Sequence, residues 1–223
     1  MKFRDRTEAG QQLSSRLLHL KDDSPVVFAL PRGGVPVGMA ISVALGAPLD
    51  VLLVRKIGAP GQPELALGAV VDGAPPQIVF NEDIVRELGV PADFITEQVA
   101  DQLKEIERQR RRWLLERTPL LPRGRTAILV DDGIATGATV RAALLALERA
   151  GAARRILAAP VAPAEVAEAL RSLSDEAVFL IEPQIFGSVG TFYDDFRQVE
   201  DSEVTTLLDR AARLVTQEAG STG

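Results

Sequence analysis

Short aliphatic and β-branched runs recur along the chain at residues 26–30, 50–54, 126–130, 156–161 and 177–181. Each has the length of a strand and lacks polar alternation, as expected for strands buried on both faces. Between them the spacing changes. Val140, Ala143, Leu144 and Leu147 stand at i, i+3, i+4 and i+7, and Val166, Ala169, Leu170 and Leu173 repeat that pattern, so a helix follows each of these strands. After Pro36 the chain is small and apolar nearly all round (Val37, Gly38, Ala40, Ile41, Val43, Ala44), which suits a helix pressed against a sheet and ending at Gly46. Strands alternating with helices predict an α/β fold, an open, mostly parallel twisted sheet with helices on both faces.

The second and third runs are separated by about seventy residues, more than a plain crossover needs. Residues 67–71 and 77–80, joined across Asp72-Gly73-Ala74-Pro75-Pro76, predict an antiparallel strand pair. Pro91 then opens a long helix reaching about Arg117, with Ile95, Val99, Leu103, Ile106 and Trp113 on one face. On its charged face Arg108, Arg110, Arg111 and Arg112 interleave with Glu105, Glu107 and Glu116 at pairing distance, which reads as a solvated face rather than a nucleic-acid patch. No internal repeat and no second large core is visible, so residues 1–223 are expected to form one domain, with an insertion over about 57–118.

Composition narrows the chemistry. The chain has no Cys and one His, His19, which removes disulfides and thiol nucleophiles and nearly removes His-based catalytic pairs. Catalysis would have to run on carboxylates, Lys, Arg, hydroxyls and backbone amides. A net charge of −6 disfavours bulk binding to a nucleic-acid backbone, while leaving room for a small polyanion in a local pocket. No stretch approaches the apolar length of a membrane span, and Met1 to Arg6 lead into no apolar targeting segment, so a cytoplasmic protein is expected.

The strongest chemical signal is Ala127-Ile128-Leu129-Val130-Asp131-Asp132-Gly133-Ile134-Ala135-Thr136-Gly137-Ala138-Thr139-Val140: a strand, two carboxylates, a Gly and Thr loop, then a helix. The loop presents backbone N–H groups at a helix N-terminus, where unsatisfied donors and the dipole favour a phosphate. Thr136 and Thr139 add hydroxyl donors, and Gly137 permits close approach. Asp131 and Asp132 would repel a phosphate, so they make sense if the ligand also offers hydroxyls or a cation, as a ribose 5-phosphate does. A capping Asp followed by a Gly turn is the plain alternative; it accounts for a dipeptide and not for the fourteen-residue pattern.

This pattern resembles the 5-phosphoribosyl-1-pyrophosphate (PRPP) signature of the type I phosphoribosyltransferases. The resemblance implies that Asp131 and Asp132 bind the ribose hydroxyls and hold Mg²⁺ through water, with Gly133 and residues Ala135, Thr136, Gly137, Ala138 and Thr139 around the 5′-phosphate. Leu30-Pro31-Arg32-Gly33-Gly34-Val35-Pro36 is similar to the family's pyrophosphate loop, implying PRPP contacts from Pro31, Arg32, Gly33 and Gly34; alone it would pass for a Pro and Gly turn. Arg55 and Lys56, in Arg55-Lys56-Ile57-Gly58-Ala59-Pro60-Gly61, are similar to the start of the family's flexible catalytic loop and would neutralise departing pyrophosphate; a surface basic pair is the alternative. Glu64, the one carboxylate in that loop, would contact acceptor or ribose, or else face solvent.

Residues 182–200 are similar to the hood that covers the acceptor base. Four aromatics, Phe186, Phe192, Tyr193 and Phe196, fall within eleven residues there; Phe186, with Phe192 and Tyr193, is the stacking candidate, against the alternative that these rings close the core. Two positions depart from the family's oxopurine pattern: Ala135 stands where an acid meets the purine, and Ala158-Ala159-Pro160-Val161-Ala162-Pro163 offers no Lys. The implied activity is Mg²⁺-dependent transfer of phosphoribose from PRPP to a nitrogen of a nucleobase-like acceptor, in a homodimer, without nucleic-acid or membrane partners. A PRPP-binding sensor without transfer is the rival reading, and a phosphate-binding interaction protein is a third.

Overall fold

The computed structural model describes residues 2–73, 75–114 and 117–220, without the side chains of residues 63, 64 and 215–220. Its larger sheet contains β1 (Val26–Ala29), β2 (Leu49–Val51), β6 (Thr126–Val130), β7 (Arg154–Val161) and β8 (Glu176–Ile181), all parallel, in the order β2-β1-β6-β7-β8. A smaller antiparallel sheet contains β3 (Val54–Ala59), β4 (Gln62–Val71) and β5 (Gln77–Phe80). The helices are α1 (Arg6–Leu17), α2 (Gly34–Leu45), α3 (Glu82–Leu88), α4 (Ala92–Trp113), α5 (Ala138–Arg149), α6 (Ala164–Arg171) and α7 (Asp201–Gly220). None of the described helices is long and apolar enough to cross a membrane.

Strand alternation divides the core into two layers. Val27, Ala29, Ile128 and Val130 face a cluster built with Leu13 and Leu17 of α1, Val37 and Ile41 of α2, and Val204 and Leu208 of α7. Their neighbours Val26, Phe28, Ala127 and Leu129 face the opposite cluster, with Leu144 and Leu147 of α5 and Leu170 of α6. Both faces of β1 and β6 are therefore buried, which explains their unbroken apolar sequence. The smaller sheet contributes Ile57 and Leu67 to the first cluster and Ala69 and Val71 to the second, so it is packed into the same core.

The helix ending at Gly46, whose φ is +63°, is present, as are the expected strands, except that the run 50–54 is divided: β2 ends at Val51 and Val54 opens β3 of the smaller sheet. Two expectations about the insertion need correction. The segment expected as a loop from Arg55 onward is a β-hairpin: Val54 pairs with Val71 and Ala59 with Gln62 around a turn at Pro60 and Gly61. The pattern of apolar residues there is weak because much of β3 is only half-buried. The second correction concerns the arginines of α4, which do not share one solvated face. Arg108 and Arg111 make exposed pairs with Glu105 and Glu107, as expected. Arg110 instead pairs with the buried Asp72, whose side chain is 6% exposed, because it stands two positions from Arg108 and one from Arg111, offsets that turn a residue to another side of the helix.

Burial pushes the Asp72 carboxyl above its usual range, and the Arg110 charge opposes that shift. Arg110→Ala should therefore destabilise the protein by about 3 kcal/mol near neutral pH, since it leaves a buried charge uncompensated. The deficit should shrink as pH falls through the carboxylate range, because protonated Asp72 has no charge to strand. Arg111→Ala should stay within about 0.5 kcal/mol of the parent. Urea unfolding of both variants at pH 5 and pH 8 measures this; equal losses would contradict it.

Candidate functional site

The order of the large sheet reverses between β1 and β6: from β1 the chain crosses to β2 on one side, and from β6 to β7 on the other. Loops leaving the carboxyl ends of such a pair diverge and open a crevice between them. Here the loop after β1 runs through Pro31, Arg32 and Gly33 into α2, and the loop after β6 runs through Asp131 to Gly137 into α5. Two helix N-termini are thus brought to one crevice, each with backbone N–H groups that lack intrahelical partners. The Pro31–Arg32 peptide bond is cis.

The two loops touch. A Cβ at Gly33 would lie 2.0 Å from Asp132 Oδ2, and one at Gly34 would lie 2.7 Å from the Val130 carbonyl oxygen, so neither position admits a side chain. Gly137 has φ +76°, the left-handed conformation that starts α5 and leaves Thr136, Ala138 and Thr139 exposed beside Ala135. Gly133 is pressed between Val161 and Val189, which ties this loop to the segment after β8.

The paired carboxylates have unequal surroundings. Asp131 Oδ1 accepts a hydrogen bond from the Asp132 backbone N–H at 2.9 Å. Desolvation, and then the neighbouring Asp132 charge, hold the Asp131 carboxyl well above its usual range. Asp132 Oδ2 accepts from Arg6 Nε at 2.6 Å in a largely buried ion pair. Arg6 also donates to the Arg197 carbonyl at 2.8 Å and sits 4.0 Å over the Phe196 ring. No motif marked Arg6 in the sequence; it lies 126 positions from its partner, and only the docking of α1 brings it in. Among the described residues no group of three or more His, Cys, Asp or Glu could cage a metal ion. Two adjacent carboxylates do suit Mg²⁺, which keeps its waters and binds through one or two carboxylates plus a substrate's phosphates.

Arg55 and Lys56 are separated by the strand that carries them, because successive side chains of β3 point to opposite faces. Arg55 turns toward α4, donating from Nε to Gln102 Oε1 at 3.2 Å, and lines a cavity of about 330 Å³ with Arg32, Arg108, Arg112, Thr139 and Asp201. Lys56 lines a second cavity, of about 670 Å³, with Thr136, Thr139, Arg141 and Phe80. Thr139 borders both. Arg55 thus shares a cavity with Arg32, while Lys56 faces the loop at the start of α5. The side chain of Glu64 is outside those described.

The segment after β8 also differs from expectation in part. Phe186 and Phe192 are half-buried and stacked on each other, with centroids 5.9 Å apart and planes at 17°. Tyr193, expected to face an acceptor, is 3% exposed and packed against Phe3 and Phe196. Its hydroxyl donates to the Asp132 carbonyl at 2.6 Å, and burial pushes the phenol above its usual range. Tyr193 therefore braces the carboxylate loop from behind and presents no open face for stacking.

Comparisons with known proteins bear on the family of the chain. A family model described as a phosphoribosyl transferase domain matches residues 78–196. The Mycobacterium tuberculosis protein named "Putative phosphoribosyl transferase Rv0571c" is 44% identical over 211 residues, which are 95% of this chain and 47% of that protein. The chain thus spans about half the length of the curated relatives it matches. The crystal structure of TT1426 from Thermus thermophilus superposes with a TM-score of 0.80 at 41% identity, covering 93% of this chain and 98% of the other.

A carboxylate held above its ordinary pKa makes the folded state less stable as pH rises through that pKa, since the unfolded chain ionises at no cost. Asp131→Asn keeps the acceptor for the Asp132 N–H and removes the repulsion. It should raise the melting temperature at pH 8, by about 2–4 °C for each kcal/mol relieved, with no gain at pH 4. Calorimetry across that range in phosphate-free buffer is the check; a loss at pH 8 would contradict it.

Proposed function

Because this chain belongs to the phosphoribosyl transferase family, we propose that it transfers the 5-phosphoribosyl group of PRPP to a nitrogen of a nucleobase-like acceptor and releases pyrophosphate. The observation that carries this reading is the contact of Gly33 with Asp132, which joins an anion-binding loop to a diol-binding carboxylate at the point where the sheet order reverses. A ligand with a phosphate at each end and hydroxyls between them matches that arrangement.

Each end of the ligand meets a suited set of groups. The first N–H groups of α5 and the hydroxyls of Thr136 and Thr139 receive the 5′-phosphate. Asp131 and Asp132 accept hydrogen bonds from the ribose hydroxyls, and the Arg6 ion pair orients Asp132. As the C1–O bond breaks, negative charge grows on the pyrophosphate, where Arg32 and Arg55 offset it. Positive charge grows on the sugar, beside the two carboxylates. Asp131 and Asp132 are the residues that would hold Mg²⁺, which would supply further neutralisation of the pyrophosphate when bound. Phe186 and Phe192 offer flat apolar surface for a planar acceptor. With Ala135 in place of a carboxylate, the acceptor is read without an acidic contact from this loop.

Pyrophosphate release from PRPP with Mg²⁺, measured across a panel of purine and pyrimidine bases, tests the reading. Release with one base, reduced at least about 100-fold in a folded Asp132→Asn variant, is the expected result. PRPP binding with silence across the panel would favour the sensor reading, and no PRPP binding would overturn both.

A further inference from the structure

The Asp201 carboxylate, at the start of α7, receives donors from two other elements. Arg112 Nη2 lies 2.6 Å from Oδ2, and Trp113 Nε1 donates to Oδ1 at 2.9 Å. Arg32 Nη1, from the loop after β1, lies 3.6 Å from Oδ1. This carboxylate sits in the wall of the 330 Å³ cavity that also contains Arg55 and Arg108. Four guanidinium groups therefore surround one space, and among the described residues that line it the only carboxylate is Asp201. Arg108 carries its own partner, Glu105, on the exposed side.

We propose that α4 completes the pyrophosphate subsite through Arg112 and Arg108, and that Asp201 is an internal counter-ion which the incoming pyrophosphate displaces. This rests on the PRPP reading above. Guanidinium forks match the paired oxygens of phosphate as well as they match a carboxylate, so the donors that hold Asp201 are those a diphosphate would take. A diphosphate carries more charge than one carboxylate and spans more than one fork. The exchange therefore favours the ligand where arginines from two elements converge, and Asp201 keeps them from repelling one another until it arrives. The side chain of Arg112 is more than half exposed, so it has room to swing from Asp201 to a ligand. Asp201 as a plain staple between α4 and α7, favoured by its place at a helix N-terminus, is the competing account.

Titration calorimetry with inorganic pyrophosphate in magnesium-containing buffer, with ribose 5-phosphate as comparator, separates the two. Arg112→Gln should weaken pyrophosphate binding roughly tenfold and leave ribose 5-phosphate unchanged, as expected for loss of a charge-assisted pair. Asp201→Asn should tighten pyrophosphate binding several-fold. If Asp201→Asn does not fold, Arg112→Gln and Arg108→Gln decide the matter. Unchanged pyrophosphate affinity in the arginine variants, or in a folded Asp201→Asn, overturns the proposal. Wild-type protein that binds ribose 5-phosphate but not pyrophosphate overturns it too. Binding of neither ligand would overturn the PRPP reading beneath it.

Discussion

Gly33 lies so close to the Asp132 carboxylate that no side chain fits between them, and the geometry of the site follows from that contact. The contact is possible because β1 and β6 are adjacent and parallel, with Ala29 opposite Val130, so both loops leave the sheet at one level. Strands buried on both faces are the most rigid part of such a fold. The separation between the loop after β1 and the carboxylates at the end of β6 is therefore set by strand spacing, about 4.8 Å. The rest of the molecule holds this junction or surrounds it with charge.

Charge is arranged by opposition across the crevice. The chain is acidic overall, with net charge −6, yet arginines gather on the side of the first cavity while the two carboxylates stand at the end of β6. These charges are matched from within: Arg6 meets Asp132, and Asp201 meets Arg112 and Arg32. The helices and loops that supply the matching groups also tie the ends of the chain to the site. Phe3 pairs with Tyr193, Arg6 reaches the Arg197 carbonyl, and the Tyr193 hydroxyl holds the Asp132 carbonyl. The first residues and the segment after β8 thus form a brace behind the carboxylates.

The insertion shows how one helix serves two purposes. Ile106 and Trp113 of α4 are buried in the core, and Arg110 holds Asp72 under the small sheet. That anchoring presents Arg108 and Arg112 to the first cavity. The hairpin of β3 and β4 works in a similar way, since strand alternation sends Arg55 toward α4 and Lys56 toward the start of α5.

The sequence alone determined the parallel sheet, the two loops after β1 and β6 and the helix that follows each. Those features are written in local spacing: unbroken apolar runs for strands buried on both faces, i, i+3, i+4, i+7 positions for helices, and small residues where backbone must meet backbone. Arg6, Asp201 and the separate duties of the α4 arginines were not legible there, because an ion pair between residues far apart in the chain leaves no periodic trace. The sequence likewise shows four aromatics close together after β8 without saying which are covered. Only tertiary packing turned Tyr193 inward and left Phe186 and Phe192 stacked on each other, because burial depends on what α1 and the N-terminal residues bring against that segment.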